Sequence, residues 1–252
     1  MELTQAPPNG TPSWVDLGIP DLERAMEFYG AVFGWEFEEG PAETGRYTMC
    51  LVRGKPVAAM MPNPDPDASE FWWSVYFATD DCDGTAKRIT DAGGQVPMEP
   101  MDVMDKGRMA IAFDTTGGQF GLWQGRAHIG AEIVNEPGSI VWNELFTARP
   151  EPARDFYVAV FDHTPEPLPE FDFTVLHRPD ERPIGGIQAE PSAPKSRWVT
   201  YFEIEDVDAA LRRATEAGGG VSLAAEDTPF GRIAGIRDPF GAEFRIMKSA
   251  QP

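Results

Sequence analysis

Cysteine is scarce in this chain, and positive charge is outnumbered. Only Cys50 and Cys82 occur among 252 residues. One bridge could form between them, but a disulfide framework is excluded. Lys and Arg total 21 against 41 Asp and Glu, giving a formal charge of −20. Nucleic acid and anionic membranes both call for basic patches, so neither is expected as a partner. No apolar run approaches the length of a membrane span, and the opening MELTQAPPNG has neither a basic n-region nor an apolar h-region. A cytoplasmic location is the default expectation. What is present is enough for a packed core: 42% hydrophobic and 11% aromatic residues. The length suits one large domain or two medium ones.

An internal repeat favours two. The stretch TPSWVDLGIPDLERAMEFYGAVFGW from Thr11 to Trp35 returns as VWNELFTARPEPARDFYVAVFDH from Val141 to His163. Trp14 lies as far from Tyr29 as Trp142 does from Tyr157. Within each copy, period-two alternation predicts a strand, and the stripe Leu22, Ala25, Met26, Tyr29 and Phe33 predicts a helix. Asp21 can cap that helix and Gly34 can end it. A second pair of units starts at the aromatic strands Phe71–Thr79 and Trp198–Ile204. Acidic helix starts follow at Asp80, Asp81 and Asp83, and at Glu205, Asp206 and Asp208. These helices, read as 84–92 and 209–217, stop at Gly93-Gly94 and Gly218-Gly219-Gly220. Gly107-Arg108 matches Gly231-Arg232, and Asp114 matches Asp238, at one near-constant offset.

The order within each unit reads β-α-β-β-β. The fold class is therefore α+β, with four βαβββ modules in two tandem domains. Residues 1–10 are expected to be a flexible N-terminus. The first domain spans 11–126, with modules 11–62 and 70–126. A linker spans 127–138, and the second domain spans 139–248, with modules 139–189 and 197–248. A sheet with a helix on one face leaves its other face needing cover, and two such sheets can curl into a ligand-holding cup. Whether paired modules are neighbours in sequence, or one and four pair with two and three, is open at this stage.

The DLERAMEFYGAVFGW helix, the acidic helix starts with their AGG stops, and GRIAGIRDPFGAEFRI together resemble the vicinal oxygen chelate superfamily. This group includes glyoxalase I, bleomycin- and fosfomycin-resistance proteins and extradiol dioxygenases. The resemblance covers about residues 11 to 248. SWVDLG, GRMAI, GLWQ, HIGA, NEPG and WNEL are also similar to actinobacterial tandem-domain proteins labelled glyoxalase-like or hydroxylase. The superfamily hosts several chemistries as well as pure binders.

The resemblance implies metal ligands seven residues before the Asp of the helix start and seven after the Asp of the later turn. Those positions are Trp14, Ser74 and Gly121 in the first domain, and Trp142, Val199 and Arg245 in the second. Indole lacks a free lone pair, Val and Gly have no donor atom, and Arg stays protonated. His128, His163 and His177 fall at none of these positions. The expectation is a cup without a metal ion or other cofactor.

Asp16 and Glu144, two residues beyond the tryptophans, share their strand face. Each is a candidate catalytic base or ligand anchor, or else a structural lock. Trp14, Trp123 and Trp142 can stack on a planar ligand, or plug the cup. Arg245 can bind a carboxylate or phosphate, or pair with Glu144, Glu203 or Asp172. His128 in the linker can act as an acid or base, or lock the chain. Arg108 and Arg232 read as structural.

The functional expectation is recognition of a small planar or aromatic metabolite, with acid/base turnover by Asp16 or Glu144. The alternative is a sequestering binder of the antibiotic-resistance type. A metal-dependent lyase or dioxygenase is the least supported reading. A small-molecule ligand and a monomer or homodimer complete the picture.

Overall fold

The computed structural model describes residues 1–250. Within them, consecutive modules join edge to edge. In the first half, β1 (Pro12–Ile19) is followed by α1 (Leu22–Phe33), β2 (Glu36–Glu38), β3 (Thr48–Val52) and β4 (Lys55–Pro62). Then come β5 (Trp73–Ala78), α2 (Cys82–Asp91), β6 (Gln95–Val103), β7 (Gly107–Phe113) and β8 (Gln119–Gly125). The antiparallel pairing of β1 with β5 fuses both modules into one eight-stranded sheet, ordered β2-β3-β4-β1-β5-β8-β7-β6.

The second half repeats this with β9 (Ile140–Thr147), α3 (Pro150–Phe161), β10 (Thr164–Leu168), β11 (Phe173–His177) and β12 (Pro183–Ala189). The last module is β13 (Arg197–Glu203), α4 (Val207–Glu216), β14 (Gly220–Thr228), β15 (Gly231–Arg237) and β16 (Glu243–Ser249). Its sheet order is β10-β11-β12-β9-β13-β16-β15-β14. Neighbouring modules pair, which answers the question the repeat left open.

α2 and α4 start two residues before the expected 84 and 209, because an aspartate caps each of them. Asp21, Asp81 and Asp206 each accept a hydrogen bond from the backbone N–H three residues on. Gly34 closes α1 in the left-handed conformation at φ 72°. The strand β6 is longer than the pattern in QVPMEPMDV suggests. Two register shifts against β7 break its alternation, and its two prolines are tolerated because it forms the sheet edge.

One face of each sheet packs on helices, and the two domains share a single core. The helices cross between domains. Phe28 of α1 lies 6.5 Å from Phe244 of β16, while Phe77 of β5 stacks on Phe161 of α3 at 5.1 Å. The glycines after α2 and α4 seat this exchange. A Cβ on Gly94 would stand 2.7 Å from the Phe156 ring, and one on Gly219 would stand 2.6 Å from the Phe28 ring. They are therefore contact points for the opposite domain as well as helix stops.

Two reciprocal polar chains reinforce the contact. Trp73 Nε1 donates to Tyr29 Oη at 3.1 Å, and Tyr29 donates to Asp238 Oδ2 at 3.0 Å. Trp198 Nε1 donates to Tyr157 Oη, and Tyr157 donates to Asp114 Oδ2, both at 2.9 Å.

Residues 1–10 correct the expectation of a loose terminus. The Leu3 N–H donates to Glu132 O at 2.8 Å, and the Gly10 N–H to Ala78 O at 2.9 Å. Gly10 O also bonds Nε2 of buried His163 at 3.0 Å. Backbone pairing, invisible in a polar and Pro-rich composition, holds the segment against both halves. Among the described residues no helix is long and apolar enough to cross a membrane.

Candidate functional site

The other face of each sheet is the expected cup face, and it carries the candidate residues. Because Trp14 pairs with Tyr76 and Tyr76 with Gly121, these three share the first cup with Asp16, Ala59 and Trp123. Aromatic side chains fill it. Trp14 is 2% exposed, Asp16 5% and Trp123 7%, and the aromatic members have merged with the main core. Trp14 Nε1 donates to Tyr47 Oη at 2.7 Å, and Tyr47 donates to Asp16 Oδ2 at 3.0 Å. Burial pushes the Asp16 carboxyl up to about 6, although bonds from Tyr47 and Tyr76 pull the other way.

His128 reaches this cup from the linker. Its ring stands edge-on to Trp14 at 4.4 Å, and Trp123 Nε1 donates to its backbone carbonyl at 2.9 Å. Its Nε2 is buried without a partner, and burial pushes the imidazole down to about 4. The structure thus brings Trp14, Asp16, Trp123 and His128 together, in a sealed setting.

The second cup is built differently. Trp142, Glu144 and Phe146 of β9 face Tyr201 and Val199 of β13, and Tyr201 pairs in register with Arg245 of β16. Trp142, Phe146, Val199, Tyr201, Ile233 and Met247 form an apolar cluster separate from the main core. Trp142, Glu144 and Arg245 keep part of their surface exposed. Glu144 has one donor for each oxygen: Trp142 Nε1 at 3.1 Å on Oε1, and Tyr201 Oη at 2.5 Å on Oε2. Burial pushes its carboxyl above the ordinary range, opposed by Tyr201, Trp142 and the nearby charge of Arg245.

Arg245 does not pair with Glu144, Glu203 or Asp172. Its Nη1 donates to Ser222 Oγ at 3.1 Å and stands 3.8 Å from Glu243 Oε1. Arg108 and Arg232 are matching surface clamps, Arg108 on Asp83 and Asp102, Arg232 on Asp208 and Asp227.

A family model described as the Glyoxalase/Bleomycin resistance protein/Dioxygenase superfamily matches residues 11–122 and again 139–246. The chain belongs to this superfamily. It is 39% identical over 251 residues to CFP32 of Mycobacterium tuberculosis, provisionally named a glyoxylase, covering 96% of this chain and 95% of that protein. It is 38% identical over 257 residues to the anthracycline biosynthesis protein DnrV of Streptomyces peucetius, covering 95% and 93%. In structure it is similar to a Mn(II)-bound glyoxalase from Novosphingobium aromaticivorans. That match has a TM-score of 0.67 and 16% identity, covering 96% of this chain and 84% of the other. The 2,3-dioxygenase LapB of Pseudomonas sp. KL28 gives 0.68 and 12%, covering 97% and 94%. The structural likenesses speak to the fold alone.

A divalent ion is what the superfamily implies for such a cup, and the side chains here do not fit one. At the positions where relatives place ligands, the indole N–H groups of Trp14 and Trp142 point at oxygen acceptors as donors. Gly121 and Val199 offer no donor atom, Ser74 only a neutral hydroxyl, and Arg245 a positive charge. Among the described residues, no three His, Cys, Asp or Glu side chains converge on a common point.

One concavity escaped the sequence reading. A space of about 690 Å³ lies between Pro7, Pro8 and Asn9, the Asp80 and Gln124 region, and the Arg178–Asp180 turn. It forms where the N-terminal segment meets the second domain, so no local motif marks it. Arg178 is already spent there on Asp180 and Thr11.

Proposed function

We propose that the second cup recognises a small planar or aromatic metabolite without a metal ion, and moves a proton on it through Glu144. The observation that carries this reading is the setting of Glu144. It is a carboxylate held between Trp142 and Tyr201 on a face that stays partly open. Its donors fix its direction, and burial holds its pKa above the ordinary carboxylate range, which suits it to take up and return a proton. Trp142, Phe146 and Val199 supply a flat apolar floor for a planar ligand. The named role of DnrV in making anthracyclines agrees with an aromatic ligand class. Asp16 and Trp14 serve in this reading as the structural lock of the first cup.

A second reading, sequestration without turnover, is favoured by the first sheet. Met49, Met61, Met98, Met101 and Met109 share its outer face by register, an adaptable apolar surface, with Glu38 exposed beside Met49 at the sheet edge. The two readings separate in one experiment. Planar aromatic ketones are screened by NMR in D2O for exchange of the protons beside the carbonyl. Exchange that survives Asp16→Asn and vanishes in Glu144→Gln is expected. Saturable binding with no exchange would replace turnover by sequestration.

A further inference from the structure

The second cup lacks a metal-ligand set, yet it carries a positive charge of its own. Arg245 occupies the last-strand position where relatives place a ligand, and its side chain is 11% exposed. Its neighbours make room for it. On the adjacent strand β15, Gly235 is its register partner, and a Cβ there would stand 1.7 Å from Nη1. The first cup has the inverse arrangement. Gly121 stands at the place of Arg245, its partner across the strand is Ile111, and the Tyr76 ring lies where a Cβ on Gly121 would be, 2.1 Å away. Small and large residues have exchanged strands between the halves, and only the second half gains a cation.

That cation is not consumed internally. Glu144 is satisfied by two neutral donors and forms no ion pair with Arg245, and Glu243 stands only at the 3.8 Å margin of contact. Nη1 donates to Ser222 Oγ, and the Tyr201 hydroxyl is the other polar group that the guanidinium reaches. Tyr201 links the two groups side by side: it bonds Glu144 and pairs in register with Arg245.

We propose that the guanidinium of Arg245 does the work assigned elsewhere in the superfamily to a divalent ion, holding an anionic oxygen of the ligand beside Glu144. This rests on the reading of the second cup as the ligand site, and it narrows the ligand to planar molecules bearing a carboxylate, phenolate or enolisable carbonyl. A fixed, planar, always protonated cation suits a developing oxyanion and needs no deprotonated ligand set. The step balances without a co-reactant. Glu144 takes a proton from the carbon beside the carbonyl, the C–H electron pair becomes the C=C bond of an enolate, and the carbonyl π pair moves onto the oxygen facing Arg245. Return of the proton at another carbon of the conjugated system completes an isomerisation.

The test compares 2-naphthoate with uncharged 2-naphthamide at pH 7. Binding is followed on the indole N–H resonance of Trp142, in wild type, Arg245→Met and Arg245→Lys. Wild type is expected to prefer naphthoate by about tenfold or more, since charge-assisted hydrogen bonds are the strong ones. Arg245→Met should lose the preference while keeping naphthamide affinity, and Arg245→Lys should keep part of it. Neither a chelator nor added Mn2+ should change it. Equal binding of both probes by wild type, a preference that survives in Arg245→Met, or a Mn2+ requirement would overturn the assignment and leave the cup reading in place. If neither probe moves the Trp142 resonance, the cup reading fails and the role of Arg245 falls with it.

Discussion

Tyr47 immediately precedes Thr48 of β3 as Phe173 precedes Thr174 of β11, and the tyrosine hydroxyl accounts for how each half ties its carboxylate to its tryptophan. In the first cup the Tyr47 hydroxyl bridges Trp14 to Asp16. In the second, Phe173 offers no bridge, and Glu144, one methylene longer, reaches Trp142 Nε1 directly. Tyr47→Phe should therefore orphan both the indole N–H and one Asp16 oxygen. The expected cost is about 1–3 kcal/mol, as for a buried polar group left unpaired. Urea unfolding would measure it, and a loss near zero would show that water replaces the hydroxyl.

Protonation of the sealed cup should shape stability in acid, with opposing signs. Asp16 titrates at about 6 when folded, against 3.8 as its ordinary value. The folded state keeps the proton that the unfolded state has already lost, so its share of stability is present below about 4 and is lost as pH rises to about 6. His128 is pushed down to about 4 from 6.5, so the unfolded state takes up a proton first, and stability falls as pH drops from 6.5 towards 4. His163 behaves the same way. His128→Phe keeps an aromatic ring against Trp14 and discards an Nε2 that bonds nothing. Between pH 6.5 and 4 it should lose about 3 kcal/mol less stability than wild type. Denaturant titrations at both pH values check this.

The fold was legible because the repeat marks it twice: Trp14 with Trp142, Tyr29 with Tyr157, Asp114 with Asp238. The cap at Asp21 obeys a local rule and is found from the sequence, whereas runs of acidic residues leave open which of them caps α2 and α4, at Asp81 and Asp206. The full length of β6 is hidden in the sequence because bulges and edge prolines erase period two. Trp14 shares a face with Asp16, and Trp142 with Glu144, because alternation along a strand fixes a face. Which cup seals was not legible, because it depends on Tyr47 reaching Trp14 and Asp16 and on Tyr76 lying over Gly121, contacts between separate strands. Tyr201 was missed for the same reason: its role follows from register with Trp142 and Arg245, and its own neighbours in sequence say only that it lies in a strand.

The paired tyrosines make a prediction about the whole chain. Tyr29 and Tyr157 each carry an indole bond from one domain to a turn aspartate of the other. With Phe28 and Phe156 seated over Gly219 and Gly94, the two halves should unfold together in one transition. Tyr29→Phe and Tyr157→Phe should each cost about 1–3 kcal/mol. The double variant is the stringent case: calorimetry should show one broadened or two separate transitions, where wild type shows one. Independent melting of the halves in wild type would refute the shared-core account.

Tyr201 offers the sharpest test of the second cup, because it acts on Glu144 in a known direction. Its hydroxyl donates to Oε2 at 2.5 Å and stabilises the carboxylate against the burial that opposes it. Tyr201→Phe removes that bond and leaves Trp142 as the one donor, so the Glu144 carboxyl should move further above its ordinary range. A group raised in this way is charged only at higher pH. Proton exchange on an aromatic ketone, which needs the carboxylate, should therefore lose its acid limb at a higher pH in the variant. In the plateau above that limb the rate should recover towards wild type, because phenylalanine preserves the packing against Val199 and Met247. Glu144→Gln should abolish the limb along with the activity. An acid limb that stays in place in Tyr201→Phe would assign the titration to another group and remove Glu144 from the proton transfer.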